Sequence, residues 1–145
     1  FAREKLRTEP YVLFVGAQHK LAGVDAIEGG ELAGETMIVR RQCEGLPEIS
    51  RYFTARAVRP SFSLRTLSDE RALNMVAAGQ GITVAPASFK RSGLWPVKLI
   101  GLHLSRDVGL VYSDRARGAG APEAFVAAAR ATYGKRISAA GRKTG

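Results

Sequence analysis

Cysteine and histidine are scarce in this sequence of 145 residues, which has one cysteine, Cys43, and two histidines. A single cysteine cannot form an internal disulfide, and one cysteine with two histidines cannot supply the four ligands of a structural zinc site. Disulfide scaffolds and zinc modules are therefore excluded, and we expect no metal and no cofactor.

Long hydrophobic runs are also missing. The longest apolar stretch, residues 11–17, is interrupted by a glycine and is much shorter than the roughly 20 residues that cross a bilayer. No signal peptide is visible, and we expect no membrane contact. Because the chain begins with Phe1 and has no initiator methionine, we expect it to be a piece of a longer or processed protein.

Acidic residues are outnumbered, with 13 Asp and Glu against 22 Lys and Arg, a net charge of +9 and a pI near 10.3. The basic residues are scattered between positions 3 and 143, and the densest run lies in residues 134–145. We interpret that run as a disordered basic tail. A basic nucleic-acid-binding module stays an alternative, and it predicts steeply salt-dependent binding to random DNA.

Strand and helix patterns alternate along the chain. The apolar run at 9–15, closed by Gly16, is typical of a strand buried on both faces. A short helical turn is predicted within 27–34, and further strands are predicted at 36–40, 62–66, 82–85, 97–100 and 108–112. This order predicts an α/β fold with a largely parallel sheet.

Three helices are predicted between these strands, besides the short turns. One starts at Pro47 and ends near Ala57, because the residue before Pro60 is pushed out of the α region. The second is capped by Ser68 and stopped by Gly79, and the third spans 122–133. Their predicted apolar faces comprise Ile49, Tyr52, Phe53 and Ala57, then Ala72, Leu73, Val76 and Ala77, and finally Phe125, Val126, Ala129 and Tyr133.

Ligands of open α/β sheets bind outside the carboxyl ends of the strands, which indicates the loops 40–46, 65–68 and 86–88. Arg40 and Arg41 precede a helix N-terminus there, and this combination suits a carboxylate or another small anion. The alternative, that both arginines are surface charges and Cys43 is a small filler residue, remains open. Thr66 and Ser68 offer hydroxyl groups to a ligand, although helix capping alone also accounts for Ser68.

Other potential motifs are weak. Gly79 and Gly81 follow a helix and precede a strand, the reverse of the dinucleotide fingerprint, so we interpret them as a helix stop and a tight turn. His19 and His103 are expected to be ordinary surface residues. No catalytic constellation has a supporting context, so we expect that the protein is not an enzyme.

Three segments of this chain resemble the effector-binding domain of LysR-type transcriptional regulators. They are Thr-Glu-Pro-Tyr-Val-Leu-Phe-Val-Gly-Ala-Gln-His-Lys-Leu-Ala at 8–22, Leu-Ala-Gly-Glu-Thr-Met-Ile-Val at 32–39, and Asp-Glu-Arg-Ala-Leu-Asn-Met-Val-Ala-Ala-Gly-Gln-Gly-Ile-Thr-Val-Ala-Pro at 69–86. The third is the most specific. With the strand at 108–112 and the helix start at 122–126, the resemblance covers residues 8–133.

The resemblance implies a periplasmic-binding-protein type II-like fold, with one complete lobe, the crossover strands and the C-terminal part of the other lobe. Residues 1–16 would be the end of the first lobe and the first crossover strand. Residues 17–101 would be the second lobe, 102–133 the return crossover and the last helix of the first lobe, and 134–145 the tail. The family's winged helix-turn-helix and most of its first lobe have no counterpart here.

The resemblance also implies a function: a cytoplasmic, ligand-sensing regulatory domain that binds a small anionic effector in an interlobe cleft. Contacts carry over by position onto Arg41, Gln42 and Cys43 and onto Arg65, Thr66 and Ser68. Cys43 occupies the loop in which peroxide sensors of the family keep a reactive cysteine, but the partner cysteine has no counterpart.

Partners implied by the resemblance are the effector, further copies in a dimer or tetramer of the parent protein, and DNA through the helix-turn-helix only. The alternative is a solute-binding protein of the same fold that serves transport. The full-length reading frame distinguishes them, because a regulator has an upstream helix-turn-helix and a transport protein has a signal peptide.

Overall fold

The computed structural model describes residues 1–140, with side chains through residue 133. Seven strands and three α-helices follow one another along this part of the chain. They are β1 (Ala2–Gly16), β2 (Ala26–Glu28), β3 (Thr36–Arg40), α1 (Leu46–Thr54), β4 (Ser61–Thr66), α2 (Asp69–Ala77), β5 (Thr83–Pro86), β6 (Leu94–Ile100), β7 (Ser105–Tyr112) and α3 (Gly120–Ala140). None of the described helices is long and apolar enough to cross a membrane.

The chain divides into two compact units. The large unit comprises residues 10–104, and the small unit comprises residues 1–9 with residues 105 onward. In the small unit β7 pairs with β1, and the Arg130 guanidinium on α3 binds the Glu4 carboxylate. That hydrogen bond lowers the pKa of Glu4.

The main sheet of the large unit has the strand order β2-β6-β1-β5. Its centre is β1, where Leu13, Phe14 and Val15 are fully buried, as the continuous apolar run predicts. β1 is antiparallel to both β5 and β6, so the prediction of a largely parallel sheet is wrong for this strand. An alternation of strands and helices fixes the direction only of strands joined by a helical crossover, and β1 is not joined to β5 or β6 in that way.

Such a crossover joins β3 through α1 to β4, and these two strands are parallel. Backbone hydrogen bonds of 2.8 and 2.9 Å connect Ile82, just before β5, to Ile38 and Thr36 of β3. Helix α2 packs on the β3–β4 pair through a cluster that includes Ile38, Ala72 and Val76. The strands β3 and β4 end side by side at one edge of the large unit, and the loop that leads into α1 begins there.

Helix α2 matches its prediction closely. The Ser68 side chain caps it by accepting a hydrogen bond from the Arg71 N–H (3.2 Å). Gly79 follows the helix with φ of +75°, a left-handed conformation that favours glycine. A Cβ on Gly81 would lie 2.7 Å from the Thr36 carbonyl oxygen, which explains the second glycine as a tight turn. Only Ala77 departs from the prediction, because it is exposed.

Helix α1 begins at Leu46 and ends at Thr54, three residues before its predicted end. Ala57 was predicted on the buried face, but it is exposed and has φ of 55°. This left-handed residue allows the Val58 N–H to bond to the Phe53 carbonyl oxygen (3.0 Å), and Val58 becomes buried in its place. Burial of valine compensates for the strain at Ala57.

Helix α3 begins at Gly120 and runs to Ala140, seven residues beyond its predicted end. Val126, Ala129 and Tyr133 form its half-buried stripe, whereas Phe125 is 64% exposed and the prediction that it is buried is wrong. Phe125 lies one position before that stripe. Residues 141–145 of the predicted tail lie outside the described residues. The short strand β2 was not predicted, because three residues carry no periodic signal.

Candidate functional site

Two of the predicted site loops meet where β3 and β4 end. Arg40 and Thr66 are partners in the strand register, and the Arg41 N–H donates a hydrogen bond to the Thr66 carbonyl oxygen (2.9 Å). The third loop joins them through Phe89, because the Arg40 guanidinium lies 4.8 Å above its ring. We call this region, residues 41–43 with 65–68, the loop edge.

Arg40 lines part of a cavity beside the loop edge, but its charged end is already bound within the protein. Its side chain is 3% exposed, and its Nε donates to Asp69 Oδ1 at 2.7 Å while a terminal nitrogen donates to the Val84 carbonyl oxygen at 3.3 Å. The expectation that Arg40 contributes to an anion site is therefore wrong. Its charge is used to bind the end of β3 to the start of α2.

Arg41 and Gln42, by contrast, are exposed. Neither side chain has a hydrogen-bond or acidic partner among residues 1–133, whose side chains the structure describes. A guanidinium can bind a carboxylate through two parallel hydrogen bonds, and Arg41 has these donors free. The structure therefore leaves an unpaired cation and an amide at the loop edge.

The hydroxyl groups at the loop edge already accept local hydrogen bonds. Thr66 Oγ1 accepts from the Ser68 N–H at 3.1 Å, and Ser68 Oγ accepts from the Arg71 N–H. Each hydroxyl still carries a proton that it can donate, since it is used only as an acceptor, but Thr66 is 6% exposed whereas Ser68 is exposed. Capping and ligand contact are thus compatible at Ser68.

Acidic residues in the first turn of α2 do not leave a net negative charge at this edge. Asp69 binds Arg40, and Glu70 binds Arg91 at 2.9 Å. The positive end of the α2 dipole and the Arg41 cation are therefore not cancelled by these carboxylates. Electrostatics at the loop edge favour an anion.

A cavity of about 430 Å³ adjoins the loop edge within the large unit. Cys43 and Arg65 line it, whereas Arg41, Gln42, Thr66 and Ser68 do not. Cys43 is 7% exposed and Arg65 is exposed with its guanidinium 4.9 Å above the Phe62 ring. The six predicted residues are thus divided between the open edge and the cavity.

Several cavity residues were missed by sequence reasoning, among them Phe53, Phe62 and Arg59. Phe53 was assigned to the core and Arg59 only to the end of a helix. No signal in the sequence marks Phe62 as a cavity residue, and only the structure shows that it is 53% exposed on β4.

His19 differs from its prediction as a surface residue. Its side chain is 17% exposed, its Nδ1 accepts from the Leu21 N–H, and its Nε2 lies 3.1 Å from Glu35 Oε2. Lys20 Nζ lies 2.6 Å from the other Glu35 oxygen. Burial opposes the ionisation of Glu35 most strongly, but the bonds from Lys20 and His19 together lower its pKa below the ordinary value. His103 is exposed, as predicted.

No group of three or more histidine, cysteine or carboxylate side chains in the described part of the chain is arranged to hold a metal ion.

Comparison with protein families identifies a match to the LysR substrate binding domain over residues 1–134. The curated relatives include the DNA-binding transcriptional dual regulator OxyR of Escherichia coli K12, which is 31% identical over 118 residues. That alignment covers 77% of this chain and 39% of OxyR, so the chain spans about two fifths of the length of this relative.

Solved structures that are similar to this chain also include LysR family regulators. The reduced form of OxyR is 30% identical with a TM-score of 0.60, covering 90% of this chain and 64% of that one. HinK, a LysR family regulator from Pseudomonas aeruginosa, has a TM-score of 0.72 at 19% identity, covering 92% and 49% of the two chains. The effector binding domain of QuiR in complex with shikimate has a TM-score of 0.65 at 21% identity, covering 92% and 66%.

Proposed function

The chain belongs to the LysR substrate binding domain family, and on that premise we propose that it senses a small anionic effector for a LysR-type transcriptional regulator. The observation that carries the proposal is the loop edge. The hydrogen bond between Arg41 and Thr66 joins two loops there, and the Arg41 guanidinium has no acidic partner among the described residues.

Binding at this edge would use three kinds of donor. Arg41 supplies a guanidinium that can donate two parallel hydrogen bonds, Gln42 supplies an amide, and Thr66 and Ser68 supply hydroxyl protons. Cys43 and Arg65 line the adjoining cavity, and they would contact an effector that extends from the edge into it. These roles are assigned from the geometry of the large unit alone.

The two units fit the lobes of the family's fold. We assign residues 17–101 to the second lobe, and 1–16 with 102–133 to the crossover strands and the end of the first lobe. The small unit leaves Val111 67% exposed and Phe125 64% exposed, which agrees with a lobe completed by further residues of the parent protein.

Signalling requires that the effector bind two conformations of the parent protein with different affinities. We propose that this difference alters the lobe or subunit arrangement of a cytoplasmic dimer or tetramer, and through a helix-turn-helix domain changes DNA binding. Sensing rather than catalysis is supported by the relatives, which are regulators by name. The same relatives give no support to a transport role.

Thermal unfolding with added carboxylates tests the proposal. Shikimate and 2-PG, the molecules bound by two proteins of the same fold, are the first probes. We expect a carboxylate to raise the Tm of the wild-type chain, and Arg41→Ala to weaken its binding by roughly 10- to 100-fold, as loss of a charge-assisted hydrogen bond does. Arg3→Ala removes an exposed arginine of the small unit and should leave the affinity unchanged. Equal affinities of the wild-type and Arg41→Ala proteins would remove Arg41 from the site.

A further inference from the structure

The cavity beside the loop edge indicates which class of effector the large unit takes. We propose that this cavity holds the apolar tail of an amphipathic anion, such as a medium-chain carboxylate, and that Arg65 binds its charged head. The inference rests on the proposed sensing function and specifies the ligand of the same site.

The cavity lies between helix α1 and the face of β3–β4 opposite α2. Met37, Ile38 and Val39 of β3 line it, although Ile38 also belongs to the buried cluster that includes Ala72 and Val76 of α2. From α1, Ile49 and Phe53 line it one turn apart. Met37, Ile49 and Phe53 also belong to one buried cluster, so the cavity is lined in part by the core that joins α1 to β3.

This space suits a small ligand in size and chemistry. Its volume of about 430 Å³ falls within the range of roughly 300–1,000 Å³ that is typical of small-molecule sites. Phe53, Val58 and Phe62 add apolar surface to its walls, and none of the residues that line it is acidic. Transfer of an apolar tail into it would remove hydrocarbon surface from water.

The arginines beside the cavity indicate the charge that the other end of the ligand must carry. Arg59 and Arg65 line the cavity and have exposed side chains, and neither has a carboxylate partner in the described part of the chain. The Phe62 ring beneath the Arg65 guanidinium orients it without neutralising it. Arg59 lies before the start of β4 and Arg65 near its end, so they do not share one compact group, and Arg65 is the cation that belongs to the loop edge. An unpaired cation at this edge beside an apolar cavity favours a ligand with one compact anionic group and an apolar body.

Highly hydroxylated acids match the cavity less well. Each of their hydroxyl groups would lose water on entry and would need a polar partner in the apolar wall. We therefore expect the cavity to select octanoate over short carboxylates of the same charge. A preference for octanoate would distinguish a cavity that binds an apolar tail from a general anion site at the loop edge.

A series of carboxylates of increasing chain length measures directly how much the apolar tail contributes to the binding affinity. Calorimetric titration of the whole chain with butyrate, hexanoate and octanoate should show affinity rising roughly fourfold per added methylene group, the value expected for burial of hydrocarbon. 1-Octanol, which has the tail without the charge, should bind at least tenfold more weakly than octanoate.

Variants separate the two ends of the ligand. Arg65→Gln should weaken octanoate binding about tenfold and leave 1-octanol binding unchanged, and Arg3→Gln should change neither. Ser50 is exposed on α1 and lines the cavity, so Ser50→Trp should fill the space and abolish the dependence on chain length. Ser50→Ala, which keeps the cavity open, is its control, and circular dichroism of each variant checks its fold.

The outcomes distinguish this inference from the proposed function. Equal affinity for butyrate and octanoate, together with loss of binding in Arg41→Ala, would overturn the tail-binding cavity and keep the anion site. Absence of binding for every carboxylate, shikimate included, would overturn both. A change of oligomeric state in Ser50→Trp, without octanoate binding to the wild-type protein, would show that a second copy covers this face and would also overturn the inference.

Discussion

The Arg40 guanidinium and the Asp69 carboxylate form an ion pair of 2.7 Å that connects the last residue of β3 to the first residue of α2. The Arg40 side chain is 3% exposed and that of Asp69 is 46% exposed, so the cation is buried and the anion is partly hydrated. Because Arg40 is paired in this way, Arg40 and Arg41 have different roles. Arg40 stabilises the loop edge, and Arg41 remains available for a ligand.

Removal of the Arg40 charge should destabilise the large unit. Arg40→Met leaves the Val84 carbonyl oxygen without this donor and Asp69 without its cation, and we expect a loss of about 2–3 kcal/mol in the free energy of unfolding. Urea denaturation measures this loss in the free energy of unfolding. Arg71→Met, which changes an exposed arginine on α2, should stay within about 0.5 kcal/mol of the wild type. Equal effects of the two substitutions would contradict the structural role of Arg40.

The Glu35 cluster makes stability depend on acidic pH. The pKa of Glu35 in the folded protein lies below its ordinary value of about 4.5. The folded state therefore binds fewer protons than the unfolded chain when the pH lies between these two values. The stabilisation is complete above about pH 4.5 and is lost as the pH falls through the lowered pKa. Glu35→Gln should cost roughly 1–2 kcal/mol at pH 7, and the difference from the wild type should shrink in acid.

Urea unfolding of the wild type and Glu35→Gln at pH 7 and in acid measures this dependence. Glu31→Gln, at an exposed carboxylate, is the control and should have little effect at either pH. A Glu35→Gln penalty that is constant with pH would show that packing rather than charge stabilises the cluster.

Gly16 should not tolerate a side chain. A Cβ at this position, at the end of β1, would lie 2.7 Å from the Val76 carbonyl oxygen of α2, and neither backbone can move freely. We expect Gly16→Ala to cost about 1–3 kcal/mol and to lower the Tm. At Gly30 a Cβ would meet no atom within 4 Å, so Gly30→Ala should be close to neutral. If both variants unfold at the wild-type temperature, β1 and α2 do not pack this closely.

Cys43 can report on the cavity because it is the single cysteine of the sequence. Its side chain is buried and lines the cavity, so we expect iodoacetamide to modify it much more slowly in the native chain than in urea. Octanoate should slow the native reaction further, at least severalfold, while butyrate has less effect. Mass spectrometry over time measures both rates. Equal rates in buffer and in urea would place Cys43 at the surface.

Local sequence signals predicted the parts of the fold that depend on near neighbours. Ser68 and Gly79 mark the ends of α2 because capping and left-handed turns involve residues a few positions apart. The β3–α1–β4 unit was predicted for the same reason, since its strands are joined by a short helix. The meeting of the two loops at its edge follows from the parallel pairing of those strands.

Partners distant in the sequence were not predictable. Asp69 is 29 residues from Arg40 and Glu35 is 16 residues from His19, and no periodic pattern indicates either pair. The same limit applies to the cavity, whose walls come from α1, β3 and β4 together. The position of Arg40 and Arg41 before a helix N-terminus predicts an anion partner, but only the fold shows which of these arginines is already paired.

The central claim, that the loop edge and its cavity bind a small anion, is tested most directly by an NMR titration of the chain with octanoate and with shikimate. The Arg41 amide reports on the edge because it donates to Thr66. The account predicts saturable shifts of backbone amide signals concentrated in residues 41–43 and 65–68, with octanoate also shifting residues 49–54 of α1. Shifts confined to β7 and α3, or no saturable shifts with either molecule, would contradict it.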